Sequence, residues 1–159
     1  MVDTKTITVI VNGEEYTSTV NVRKNLIDYL REDLGLTGSH VGCEHGVCGA
    51  CTLDMNGQTV RSCLMLAVQA DGTEVTTIEG LPSEGVAEEL KKSFAKNNAL
   101  QCGYCTPGML SSALEYLNNG GRANKEEIRR HISGNYCRCT GYQAIVEAIY
   151  DVAENGVSK

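Results

Sequence analysis

Apolar and polar positions alternate at the start of the chain, with Ile7, Val9 and Val11 on one side and Thr6, Thr8 and Ile10 on the other. A period of two is that of a strand with one face in a core. Asn12-Gly13 and a threonine-rich run ending at Val20 follow, so the pattern predicts a β-hairpin closed by a type I′ turn. Leu26, Ile27, Leu30 and Leu34 then recur at helical spacing, and Gly35 supplies a stop. A second hairpin is predicted from Thr52 to Met55 and Gln58 to Ser62, turning at Asn56-Gly57, with a further strand near Val75 to Ile78. These elements make a small mixed sheet over one helix.

Beyond residue 80 the alternation stops and helical spacing takes over. Val86, Leu90 and Phe94 mark one helix, and Leu110, Ala113, Leu114 and Leu117 a second. Ile128 and Ile132 mark a short third, with Asn124 as N-cap and Glu127 three residues on. Tyr142, Ile145, Val146 and Ile149 mark the fourth. The expected fold class is α+β, with a sheet-bearing domain over 1–80 and a helical bundle over 81–159 joined at Leu81-Pro82-Ser83. Domains of roughly 80 residues have thin cores, so a metal group joining distant segments would staple them, and its loss would unfold as well as inactivate.

Eight cysteines supply the chemistry. Cys43, Cys48, Cys51 and Cys63 form C-x4-C-x2-C with a fourth cysteine downstream, the plant-type spacing for a [2Fe–2S] centre. Gly42, Gly46 and Gly49 interleave with them, as a loop must if it turns sharply and aims backbone N–H groups at sulfur. Cys102 and Cys105 form C-x2-C and Cys137 and Cys139 form C-x-C, giving a second complete set with none left over. Thr106-Pro107 reads as an N-cap followed by proline at the first helical position, and Thr140-Gly141 precedes the fourth helix. Both pairs would then place helix N-termini beside an anionic cluster, with Arg138 a candidate to offset its charge. Zinc also takes four cysteines and is the competing reading, weaker for the first set than for the second taken alone. His45 is read as a loop histidine, a ligand role being superfluous beside four cysteines.

The net charge of −6 lies entirely in the first half, where 5 Lys and Arg face 11 Asp and Glu, against 9 and 9 in the second. That balance excludes a phosphate-binding stripe and argues against nucleic acid as a partner. No basic and apolar leader and no membrane-length apolar stretch is present, so a cytoplasmic location is expected, where paired cysteine spacings signify metal rather than disulfides. No nucleophile–base constellation, phosphate loop or open metal site emerges, so the chain reads as an electron wire.

The runs GCEHGVCGACT, Ser62-Cys63, QCGYCTPGM at 101–109 and GNYCRCTGY at 134–142 resemble, in order and over nearly the whole chain, the iron–sulfur small subunits of molybdenum hydroxylases. That group includes xanthine dehydrogenase, aldehyde oxidoreductase and carbon monoxide dehydrogenase. The resemblance implies a β-grasp ferredoxin domain followed by a four-helix bundle, each with one [2Fe–2S] cluster. It implies a large subunit carrying a molybdopterin cytosine dinucleotide-type molybdenum cofactor and a medium subunit carrying FAD. Electrons would pass first through Cys102, Cys105, Cys137 and Cys139 and then through Cys43, Cys48, Cys51 and Cys63. Gln101 and Cys139 match positions that approach the pterin. Glu44-His45-Gly46-Val47 departs from the carbon monoxide dehydrogenase pattern, and Tyr136 stands where leucine is usual, which leaves an N-heteroaromatic compound or aldehyde as the expected substrate of the holoenzyme. A free-standing two-cluster electron carrier, and a binding module with structural or oxidant-sensing clusters, are the alternatives.

Overall fold

The computed structural model describes residues 3–156, so the outermost residues of both expected domains, 1–2 and 157–159, lie outside it. The chain is α+β, with a mixed five-stranded sheet followed by helices. Strands β1 (Thr4–Val11) and β2 (Glu14–Asn21) form the opening hairpin. Strands β3 (Thr52–Met55) and β4 (Gln58–Arg61) form the second, and β5 is Glu74–Thr76. The order across the sheet is β2-β1-β5-β3-β4, in which β5 runs parallel to β1 and antiparallel to β3. Both hairpins turn as their Asn-Gly pairs predict, with positive φ at Asn12, Gly13, Asn56 and Gly57.

Two expectations need correction in this half. The predicted strand over 75–78 is shorter and starts earlier, because Ile78 to Gly80 coil into a 3-10 turn. The predicted helix at 26–34 is one α-helical turn, α1 (Leu26–Asp28), that widens into a π-helical turn over Tyr29–Asp33. The widening lets Leu26, Tyr29 and Leu30 all reach the core formed by Ile7, Val9, Val11, Val20, Leu53 and Val75. Tyr29 satisfies its buried hydroxyl on Ser18 at 3.0 Å.

Four helices follow: α2 (Gly85–Lys96), α3 (Thr106–Asn118), α4 (Lys125–His131) and α5 (Gln143–Asn155). They share a second core in which Leu90 and Phe94 of α2 meet Met109, Ala113, Ile128, Ile145, Val146 and Ile149. Fully burying each such side chain contributes about 1.5–3 kcal/mol. Asn124 caps α4 as predicted, accepting from the N–H groups of Glu126 and Glu127. Among the described residues no helix is long and apolar enough to cross a membrane.

The two cores meet along α3, β3 and β4. Glu115 of α3 accepts from the Thr59 N–H at 2.7 Å and from its hydroxyl at 2.9 Å. Arg61 of β4 reaches across to donate to the Gly134 carbonyl at 2.8 Å. Those bonds hold the sheet against the helices.

Candidate metal centres

The first set of cysteines sits on the loop between α1 and β3 and just after β4. Cys51 and Cys63 are buried against Ile27, while Cys43 and Cys48 are half exposed. Gly46 and Gly49 have φ of +85° and +74°, values that strain any residue with a side chain. A Cβ on Gly42 would stand 3.0 Å from Cys48 Sγ, so a side chain there would crowd that sulfur. The Cys48 N–H points at Cys43 Sγ over 3.4 Å. That backbone donor heads the causes that pull the Cys43 thiol down to about 6. Burial pushes Cys63 the other way, to about 11, with the neighbouring Cys51 adding to it. His45 is exposed and turns Nδ1 to the Cys43 carbonyl, onto the backbone of its own loop.

The second set lies at the start of α3 and on the segment between α4 and α5. Cys102 and Cys139 are exposed, with their sulfurs 3.5 Å apart, and Cys105 and Cys137 lie deeper. Burial raises the Cys105 thiol to about 12. Burial is the largest single influence on Cys137 and pushes its thiol up, but the Thr140 hydroxyl, 3.1 Å from the sulfur, together with the backbone N–H groups of Thr140 and Cys139 and the Cys105 thiol, outweighs it and the thiol is lowered.

The helix-capping expectations need revision here. Cys105, not Thr106, is the N-cap of α3, and the Thr106 hydroxyl is buried without a hydrogen-bond partner among the described residues. Pro107 does occupy the first turn. Tyr142 lies outside α5, in a left-handed conformation with φ of +69°. Its N–H donates to the Thr140 hydroxyl at 3.1 Å, and its own hydroxyl accepts from the Cys137 N–H at 3.0 Å. The C-x-C pair thus lies just ahead of the N-terminus of α5 and is held there by a Tyr142 brace.

Among the described residues none of the eight cysteines forms a disulfide, and the 3.5 Å between Cys102 and Cys139 is far beyond a disulfide bond length. Among the described residues no three Cys, His, Asp or Glu side chains converge on the position of a single ion. Tetrahedral zinc needs four donors about 2.3 Å from one point, whereas a two-iron unit spreads four thiolates over two metals.

The two sets are neighbours. One cavity of about 160 Å³ is lined by Cys48 of the first set together with Cys102, Cys105, Cys137 and Cys139 of the second. Gly42, Ala50, Tyr104, Tyr136 and the exposed Arg138 complete it. The Tyr136 N–H donates to the Cys48 carbonyl. Tyr104 stacks on His40 with ring centroids 4.5 Å apart and donates its hydroxyl to the Val41 carbonyl at 2.6 Å. Gln101 is exposed beside Cys102.

Sequence reasoning found the eight cysteines and missed the side chains that dock one set on the other. These are Thr52, Arg61, Tyr104, Ser112, Glu115 and Asn135. The available signal was a polar residue buried among ligand motifs, of which Asn135, two positions before Cys137, is the clearest case.

Family models match both halves. A model described as "2Fe-2S iron-sulfur cluster binding domain" matches residues 9–79, and one described as "[2Fe-2S] binding domain" matches residues 77–150. The nicotine 6-hydroxylase small subunit of Paenarthrobacter nicotinovorans is 53% identical over 91% of this chain and 87% of its own. The caffeine dehydrogenase subunit gamma of Pseudomonas sp. (strain CBB1) is 49% identical over 92% of this chain and 90% of its own. Among solved structures, quinoline 2-oxidoreductase from Pseudomonas putida 86 superposes with a TM-score of 0.88 at 45% identity, covering 94% of this chain and 93% of that one.

Proposed function

The chain belongs to the family of iron–sulfur small subunits of the molybdenum hydroxylases, and we propose from that membership that it relays electrons between a molybdenum–pterin centre on a large partner subunit and an acceptor. The observation that carries the reading is the shared cavity, which brings Cys48 of one set alongside all four cysteines of the other. When bound at each set, a [2Fe–2S] unit supplies one-electron oxidation and reduction without an open coordination position.

The residues of the chain do the rest. The Cys48 N–H and the Thr140 hydroxyl stabilise the Cys43 and Cys137 thiolates, which is the protonation state a metal ligand requires. Cys51 and Cys63 are screened from water by Ile27 and Val41. Residues 1–80 are read as a β-grasp ferredoxin domain holding Cys43, Cys48, Cys51 and Cys63. Residues 81–159 are read as a four-helix bundle domain holding Cys102, Cys105, Cys137 and Cys139.

The direction of flow is read from exposure. Cys102 and Cys139 reach the surface beside exposed Gln101, Leu100, Tyr104 and Tyr136, which supports placing the pterin against Gln101 and Cys139. The first set opens elsewhere, beside exposed Val47 and Leu64, where an FAD-bearing medium subunit would dock. The holoenzyme is read as cytoplasmic, and as acting on an N-heteroaromatic compound or an aldehyde, the kinds of compound that its relatives' names give for them.

A redox titration of the purified complex followed by electron paramagnetic resonance tests the assignment. Two reversible one-electron reductions, each with a [2Fe–2S] signal, support it. A single signal, or reduction that cannot be reversed, refutes it in favour of a structural second set.

A further inference from the structure

Asn135 is 2% exposed, and its side chain reaches three residues on two other segments of the chain. Nδ2 donates to the Gly49 carbonyl at 3.0 Å and to Thr52 Oγ1 at 3.1 Å, on either side of Cys51. Oδ1 accepts from the Ser112 hydroxyl at 2.8 Å, on α3. Both amide protons are used, so the amide has one orientation. Two residues later in the chain is Cys137.

The packing round this amide has no slack. A Cβ on Gly49 would stand 2.5 Å from the Gly134 carbonyl oxygen, and one on Gly108 would stand 2.2 Å from the Gly49 carbonyl oxygen. Next to it the Tyr136 N–H is bonded to the Cys48 carbonyl. One hydrogen bond between two loops fixes a distance and leaves rotation free. A second, from the adjacent residue to the adjacent carbonyl, removes the rotation. The bonds of the Asn135 side chain are buried.

We infer that Asn135 is a positioning residue that fixes the separation and orientation of the two cysteine sets, and so the coupling between the groups they hold. Asn135 touches neither set's sulfurs and is no ligand. Its effect is on the relation between the sets, a quantity that the stability of either set alone does not determine. The inference rests on the proposed electron-relay function.

The test uses the purified holoenzyme complex with Asn135→Leu, which keeps side-chain size and removes all three bonds, and Ser112→Ala, which removes only the bond to Oδ1. Three quantities are read: iron per chain, magnetic splitting between the two paramagnetic centres in the fully reduced enzyme, and the lag between reduction of the second and the first set. The expected result for Asn135→Leu is full iron, two recognisable individual signals, an altered or lost splitting, and a longer lag than in wild type. Ser112→Ala shifts both in the same direction by less. Unchanged splitting and lag with iron retained overturn the inference. Should Asn135→Leu lose iron, Ser112→Ala decides, and unchanged splitting there overturns it too. Failure of the wild-type complex to show two reducible centres is a different outcome, and sinks the electron-relay reading itself.

Discussion

The backbone N–H of Tyr136 donates to the carbonyl of Cys48 over 2.7 Å, joining the residue before Cys137 to the main chain of a cysteine in the other set. Tyr136→Pro removes that donor, and Asn135 already has the extended conformation that a residue before proline needs. The Cys48 carbonyl is left without this partner, at a cost of about 1–3 kcal/mol. A lower melting temperature is expected together with slower passage of electrons between the sets, measured by thermal denaturation and rapid freeze-quench spectroscopy.

Cys137 is buried and lies beside Thr140, deep in the second set. Cys137→Ser should abolish turnover with the physiological acceptor while leaving the spectrum of the first set intact. Acceptor-linked activity at the wild-type level would remove the second set from the electron path.

Glu79 ties the loop that leads into Cys43 to the sheet, accepting from the Gly38 N–H and the Thr77 hydroxyl, each at 2.6 Å. Partial burial opposes its charge, but those two hydrogen bonds hold its pKa below the ordinary 4.5. A depressed carboxylate stabilises the fold above its unfolded pKa and loses that contribution as pH falls through the folded value. The melting-temperature advantage of wild type over Glu79→Gln should be level at neutral pH and shrink as pH drops below about 4.5. An advantage that persisted undiminished at lower pH would show that the carboxylate charge is not its source.

Phe94 is 2% exposed in the helical core. Phe94→Ala should cost about 3–5 kcal/mol. Because the sheet has a core of its own, the loss should fall on the helical half. Chelator-driven release of iron from the second set should then accelerate more than release from the first. Equal acceleration would show that the two cores unfold as one.

The strands and the cysteines were legible in the sequence because each depends on local pattern. Both Asn-Gly turns need positive φ at two adjacent positions, and those residue types tolerate it. The cysteine spacings name their own chemistry. The π-helical turn at Tyr29–Asp33 was not legible, because it follows from how Leu26, Tyr29 and Leu30 fit the sheet and not from their spacing. Thr106 followed by proline read as a cap, yet Cys105 takes the cap position where the preceding loop turns into α3. Tyr142 has the helical spacing of Ile145 and Ile149 but is drawn into a left-handed turn by its bonds to Thr140 and Cys137. The bonds of Asn135 to Gly49 and Arg61 to Gly134 join residues more than 70 positions apart, which no local pattern announces.

The metal content of the complex purified gently from its native host, with its co-purifying subunits, tests the central claim most directly. About four iron and one molybdenum per copy of this chain, with a large partner subunit in fixed ratio, is the predicted result. The same iron with neither molybdenum nor partner would contradict the subunit assignment and indicate a free electron carrier, and about one zinc with half the iron would contradict the second [2Fe–2S] site.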